Sequence, residues 1–263
     1  MGVPYAEVIG DPVAHSKSPM IHKYWLEQLG IEGDYRATRV TAEELPAYLA
    51  ARRADPDWRG CNVTMPHKQR VIEYLDTTTR DAAAIGAVNT IRRDEHGRLH
   101  GRNTDVHGVA RCLDDLAHDG LTAVLIGAGG AARAAAYVLR GYSASEVTVV
   151  NRTVERAERL LADLNLGGRA TTSQLLPPAD LVINAAPASE PPDLSNLRAH
   201  AVVVDLVYTP PETPLLRNAN AMGLRTVDGI TMLIHQAAEA FATFFNTASP
   251  RDAHADLRRL LTS

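Results

Sequence analysis

The sequence predicts an α/β fold with mostly parallel sheets, divided between two domains. Three observations predict it. Short apolar runs alternate with helical patterns, a continuous apolar run at 122–126 leads straight into a glycine-rich turn, and the character of the chain changes near Asp105. Strands that alternate with helices build βαβ units and parallel sheets. At 263 residues the chain is long enough for two modest domains, each with its own core.

The elements can be justified in order. Residues 5–9 read as a strand, 19–29 as a helix, 35–40 as a strand and 42–53 as a helix. A strand at 60–64 precedes a helix over 66–74, and hairpin-like runs occupy 88–92 and 98–101. From Asp105 a helix pattern runs to residue 118. Strands follow at 122–126, 147–150, 181–184 and 202–206, with helices at 131–140 and 154–164. These later strands are apolar without alternation, as expected of strands covered on both faces. Helical stretches at 232–245 and 250–260 close the chain. The boundary is expected near 105 with a return near 232, giving one domain of 1–105 completed by 232–263 and a second of 106–231.

Composition narrows the function classes. A net charge of -4 gives no polybasic footprint for nucleic acid or an anionic membrane. Cys61 and Cys112 are the only cysteines, too few for a disulfide framework or a zinc site, so no metal is expected. No apolar run approaches the ~20 residues of a membrane span. The N-terminus lacks a basic-then-apolar leader, and Ala6 stands where myristoylation at Gly2 would need Ser or Thr. A cytoplasmic protein, monomer or homodimer, is expected.

The segment VLIGAGGAAR places Gly127, Gly129 and Ala132 in a G-x-G-x-x-A pattern after a strand and at the start of a helix. The first glycine permits the tight turn, the second lets a pyrophosphate approach the backbone, and the small third residue lets helix and strand pack closely. Free N–H groups at the helix start face the phosphates. In this setting the pattern reads as a dinucleotide site of Rossmann type, carried by Gly127, Ala128, Gly129, Gly130 and Ala131. The next strand ends in Asn151-Arg152-Thr153, with Arg156 one turn later and no carboxylate at its tip. Arginine pairs with a 2′-phosphate, whereas NAD sites usually carry Asp or Glu there. NADP is the expected cofactor; a solvated face shared with Glu155 and Glu158 is the plain alternative.

Four polar clusters remain: HSKSP at 15–19, NVTMPHK at 62–68, GAVNT at 86–90 and GRNTD at 101–105. Taken singly they also read as caps and turns, with Ser16 and Ser18 before a helix, Asn89 in a turn and Asp105 as a helix cap. Taken with GAGGAAR, NRT and DGITMLIHQAA, in that order and spacing, they resemble the shikimate dehydrogenase family over nearly the whole chain.

That resemblance implies a substrate domain, an NADP domain of Rossmann type and a C-terminal helix that returns to the first domain. It implies that Ser16, Ser18 and Tyr208 hold a substrate carboxylate, and that Thr64, Asn89 and Gln236 bind ring hydroxyls. Lys68 and Asp105 would be the catalytic pair. Asn151, Arg152, Thr153 and Arg156 would hold the cofactor's adenosine end, with Leu206 and Gly229 also at the cofactor. The activity implied is NADP-dependent interconversion of shikimate and 3-dehydroshikimate in aromatic precursor biosynthesis. A quinate/shikimate or an aminoshikimate dehydrogenase is the alternative within the family, and a non-turnover ligand sensor the alternative outside it. Oxidising a ring alcohol needs a group beside it that can take a proton, which gives Lys68 a role beyond surface charge. One departure stands out: after Asn184-Ala185 the chain reads APASEPPD, without the Thr or Ser and then glycine that the family often has.

Overall fold

In the computed structural model, which describes residues 2–116, 120–187 and 190–262, buried apolar residues collect on both faces of each of two sheets. The chain divides into two units, one of residues 1–104 with 234–263 and the other of residues 105–233.

The first unit begins with β1 (Tyr5–Gly10), α1 (Ser18–Leu29), β2 (Asp34–Arg39), α2 (Leu45–Arg53) and β3 (Trp58–Val63). A 3-10 turn (Arg70–Tyr74), β4 (Thr77–Thr78), α3 (Arg80–Ile85), β5 (Thr90–Arg93) and β6 (Leu99–Arg102) follow. The sheet order is β2-β1-β3-β5-β6-β4, with β1 parallel to both neighbours and β5 antiparallel to β3 and β6. Every residue of β1 is buried, because Tyr5 and Ile9 pack with Leu45 and Leu49 of α2 while Ala6 and Val8 pack with Tyr35, Ala240 and Phe244. Pro19 in the first turn of α1 suits a helix start, and Gly30 ends the helix in the left-handed conformation at φ 60°.

The second unit holds α4 (Asp105–Cys112), β7 (Thr122–Ile126), α5 (Gly130–Gly141), β8 (Glu146–Val150), α6 (Val154–Asp163) and β9 (Gly168–Thr171). Then come β10 (Leu181–Asn184), β11 (Val202–Asp205), α7 (Pro214–Ala221) and β12 (Arg225–Val227). Its sheet, β12-β11-β10-β7-β8-β9, is parallel throughout. From β7 the chain winds outward through β8 and β9 on one side and through β10 to β12 on the other, so the strand order reverses beside β7, where such sheets place their ligands. The helix α8 (Gly229–Phe245) runs unbroken past residue 233 into the first unit, which a 3-10 turn (Arg251–Ala253) and α9 (His254–Thr262) complete.

The helix expected over 66–74 is a correction: only Arg70–Tyr74 is helical, and as a 3-10 turn. The carbonyl of Lys68 accepts from the N–H of Val88 at 2.7 Å, so it is spent on a distant strand neighbour instead of a helical turn. The pattern expected over 105–118 ends as α4 at Cys112, with two further turns to Leu116; residues 117–119 lie outside the described residues.

Candidate active site

In the first unit, Ser16 and Ser18 follow the end of β1 and Thr64 and Lys68 that of β3, whereas Asn89 precedes β5. After β1, the Ser16 N–H donates to the Val13 carbonyl at 3.0 Å, and the Ser16 hydroxyl accepts from the Ser18 N–H at 3.3 Å. Neither serine caps α1 in the usual way, because the residue flanking the helix is Lys17 and no side chain bonds its first turn from that position. Ser18 is buried, and its hydroxyl sits beside the Tyr35 phenol.

After β3 the chain turns sharply through Thr64 to Lys68. The turn is anchored at each end: Thr64 N–H donates to Ile9 O at 2.9 Å and Asp11 N–H to Met65 O at 3.0 Å. Gly10 is required beside it, since a Cβ there would fall 2.4 Å from Thr64 Cγ2. His67 is fully buried and its Nε2 lies 2.7 Å from Val40 O, while its own carbonyl accepts from Val71 N–H. Lys68 follows this pinned histidine, half-buried, with its backbone tied to Val88.

A buried polar chain lies alongside. The Tyr35 hydroxyl donates to Asn62 Oδ1 at 2.6 Å, and Asn62 Nδ2 donates to Thr90 Oγ1 at 3.0 Å and to Asn89 O at 3.2 Å. Asn89 Oδ1 accepts from the Thr104 N–H at 2.7 Å and from the Thr90 hydroxyl at 3.0 Å, and Asn89 Nδ2 donates to Thr104 Oγ1 at 3.0 Å. All five residues are buried. Of these only Asn89 was assigned a role from sequence. Asn62 and Thr104 stand inside the quoted clusters NVTMPHK and GRNTD, a signal that could have found them; Tyr35 had none. Gln236 is also buried, on α8.

In the second unit Asp105 is the first residue of α4 and is 3% exposed. Gly127, at φ 107°, turns the chain out of β7 in a conformation that disfavours any side chain, and its N–H donates to Val150 O at 2.8 Å. A Cβ on Gly129 would meet nothing within 4 Å, so that face of the turn is open to a close-approaching group. Ala132 is fully buried where α5 packs on the sheet, and no side chain caps the first turn of α5. Asn151 Nδ2 donates to Thr153 O at 2.7 Å, holding the tip of β8 at the start of α6. Arg152 and Arg156 are exposed there, and among the described residues neither makes an ion pair, with Glu155 and Glu158 or otherwise. An open glycine turn, uncapped helix N–H groups and unpaired guanidiniums in place of a carboxylate fit a dinucleotide carrying a 2′-phosphate.

At the ends of β10 and β11, Asp205 is fully buried, and burial raises its carboxyl above the usual range. It accepts from Thr213 Oγ1 at 2.6 Å, Asn184 Nδ2 at 2.8 Å and Val207 N–H at 3.0 Å, which fixes the loop that carries Leu206 and Tyr208. Gly229 packs against this loop, since a Cβ there would fall 2.6 Å from Val207 O. Tyr208 is half-buried, and burial pushes its phenol up. In the APAS stretch of the loop after β10, residues 188 and 189 lie outside the described residues.

Among the described residues no cluster of three or more His, Cys, Asp or Glu could hold a metal, and no helix is long and apolar enough to cross a membrane. A groove of about 1130 Å³ on the first unit is bordered by Arg59, Thr77, Arg92, His100 and Phe244 and by none of the predicted site residues, so volume alone does not mark the chemistry.

Comparison with known proteins agrees across sequence and structure. Residues 8–91 match the model of a shikimate dehydrogenase substrate binding domain, and residues 110–206 that of shikimate / quinate 5-dehydrogenase. The chain is 48% identical to a shikimate dehydrogenase (NADP(+)) of Sphingopyxis alaskensis, over 99% of this chain and 97% of that protein. A Thermus thermophilus shikimate 5-dehydrogenase solved with NADP(H) and shikimate is 36% identical with a TM-score of 0.88, covering 98% of this chain and 99% of that one. A quinate dehydrogenase of Corynebacterium glutamicum solved with NAD is 29% identical, also at a TM-score of 0.88, covering 98% and 99%.

Proposed function

The chain belongs to the shikimate dehydrogenase family, and on that premise we propose how its residues carry the NADP-linked interconversion of shikimate and 3-dehydroshikimate. The reaction is an oxidation of a ring CH–OH group, reversible, with NADP accepting or returning the hydride. Lys68 takes the proton from the ring hydroxyl in oxidation and returns it in reduction. The turn that roots its side chain is pinned at His67 and at the Lys68 carbonyl, which fixes where the amine starts from. Asp105 orients Lys68 and the hydroxyl. Ser16, Ser18 and Tyr208 bind the carboxylate; Thr64, Asn89 and Gln236 bind the remaining hydroxyls. The first unit is the substrate domain and the second the cofactor domain, in a protein of the cytoplasm.

The observation that carries the NADP reading is the pair of exposed, unpaired guanidiniums of Arg152 and Arg156 at the end of a strand with no carboxylate. The backbone of Gly127–Ala131 receives the pyrophosphate, and Leu206 and Gly229 border the nicotinamide end. Quinate with NAD is the second reading, favoured by the likeness to a quinate dehydrogenase. Purified protein assayed with shikimate or quinate, each with NADP⁺ or NAD⁺, separates them by the rate of cofactor reduction. Turnover confined to shikimate with NADP⁺ is expected. A comparable rate with NAD⁺ would place the arginines in solvent and overturn the cofactor, a comparable rate with quinate would overturn the substrate, and no rate in any combination would overturn both.

A further inference from the structure

The hydrogen bonds around Asn89 have a single direction, and two backbone groups set it. The Thr104 N–H can only donate, so the Asn89 side-chain atom 2.7 Å away is its carbonyl oxygen and the amide nitrogen lies opposite. The Asn89 main-chain carbonyl can only accept, so Asn62 presents its nitrogen there and turns its oxygen to Tyr35. The order that follows is Tyr35 O–H to Asn62 oxygen, Asn62 N–H to Thr90 oxygen, and Thr90 O–H to Asn89 oxygen. Tyr35 is the donor at the head of the chain.

We propose that Tyr35 is a positioning residue: through Asn62 and Thr90 it supports the Thr104 N–H in holding the Asn89 amide, so that the nitrogen that serves Thr104 Oγ1, and not the oxygen, is turned to the substrate. The inference rests on the reading of Asn89 as a contact to a ring hydroxyl, and the substrate oxygen there acts as an acceptor. Tyr35 is itself held rigidly. Its ring stacks on the fully buried His22, with centroids 4.0 Å apart and planes 5° from parallel. Burial keeps its phenol protonated, so the donor role is fixed at working pH. Its oxygen also lies near Ser18, so one buried phenol stands between the serine assigned to the carboxylate and Asn62, the first link toward Asn89. Removing the hydroxyl would leave Asn62 Oδ1 buried without its donor and loosen the Asn62–Thr90 arm, leaving Thr104 as the main hold on the Asn89 amide.

The test is steady-state kinetics on Tyr35→Phe, Thr90→Val and Thr90→Ser, with thermal melts as a check on folding. Tyr35→Phe keeps the ring stack. It is expected to raise the KM for shikimate roughly tenfold while the KM for NADP⁺ stays within about twofold. Thr90→Val should do the same, and Thr90→Ser, which keeps the hydroxyl, should restore the shikimate KM. A folded Tyr35→Phe with an unchanged shikimate KM overturns the proposal, as does a parallel rise for both substrates, which would mean general loosening. Should Tyr35→Phe not fold, the contrast of Thr90→Val with Thr90→Ser decides alone. Wild-type protein with no shikimate turnover would instead remove the functional reading, and this inference with it; an active wild type with unaltered variants removes the inference only.

Discussion

Lys68 shows how a single residue acquires a role from its neighbours' backbone. His67 is clamped to Val40, the Lys68 carbonyl is tied to Val88, and Gly10 leaves the space that Thr64 fills. With its backbone so constrained, only the side chain's own rotamers are left to be ordered when it engages a hydroxyl. Lys68→Ala is therefore expected to lower turnover by roughly a hundred- to ten-thousandfold, the usual contribution of a placed acid–base group. The dissociation constant for NADP⁺, read by fluorescence titration, should stay within about twofold, since the cofactor residues lie on other elements. Retained turnover would remove Lys68 from the chemistry. At this scale the sequence was informative where chemistry clusters along the chain, as in HSKSP or NVTMPHK. It was silent on Tyr35, because the hydrogen bond that gives Tyr35 its meaning reaches Asn62, far along the chain.

At the scale of elements, α2 is stapled to β1 by charge as well as by packing. Glu7 is fully buried in β1, and Arg52 of α2 donates to it at 2.7 Å, while the Thr38 hydroxyl bonds its second oxygen. Truncating one partner of such a pair leaves an unpaired buried charge, so Arg52→Ala is expected to cost about 3 kcal/mol of stability in urea denaturation. A loss under about 1 kcal/mol would mean that water reaches Glu7 and carries its charge. Elements such as β7, β8, β10 and β11 were legible because both their faces are covered and their sequences are mostly apolar, interrupted inside a strand only by Thr148 of β8. The edge strands β9 and β12 were not, being short and half-exposed, with too few apolar residues to show a period. α7 was missed although Thr213 caps it and Pro214 opens it, a start signal that the surrounding prolines obscured.

For the whole molecule, His22 makes stability depend on acid. Burial lowers its pKa from 6.5 to about 3, and among the described residues its ring nitrogens have no hydrogen-bond partner. Above pH 6.5 the ring is neutral in both folded and unfolded chains. Between pH 6.5 and about 3 only the unfolded chain takes the proton, so stability falls toward acid by up to about 1.4 kcal/mol per pH unit. From pH 6.5 to 5, folding free energies of wild type and His22→Phe should therefore change by amounts differing by about 2 kcal/mol. Parallel curves would mean that the ring protonates in the folded state. The two-unit plan was legible in the glycine turn and the shift of character near Asp105, whereas the sheet order of the first unit depends on pairings between strands far apart in sequence.

The unbroken α8 has a consequence for synthesis on the ribosome. Ala240 and Phe244, near its end, cover Ala6 and Val8 of the first strand made. The first unit, begun before the second, therefore lacks one wall of its core until Phe244 has been added, by which point every residue of the second unit has already been joined to the chain. The second unit is therefore expected to fold first, against the usual N-terminal-first order. A nascent chain held with residue 233 just clear of the ribosome would carry a second unit better protected from protease than the first, while β1 still exposes the apolar face that Ala240 and Phe244 later cover.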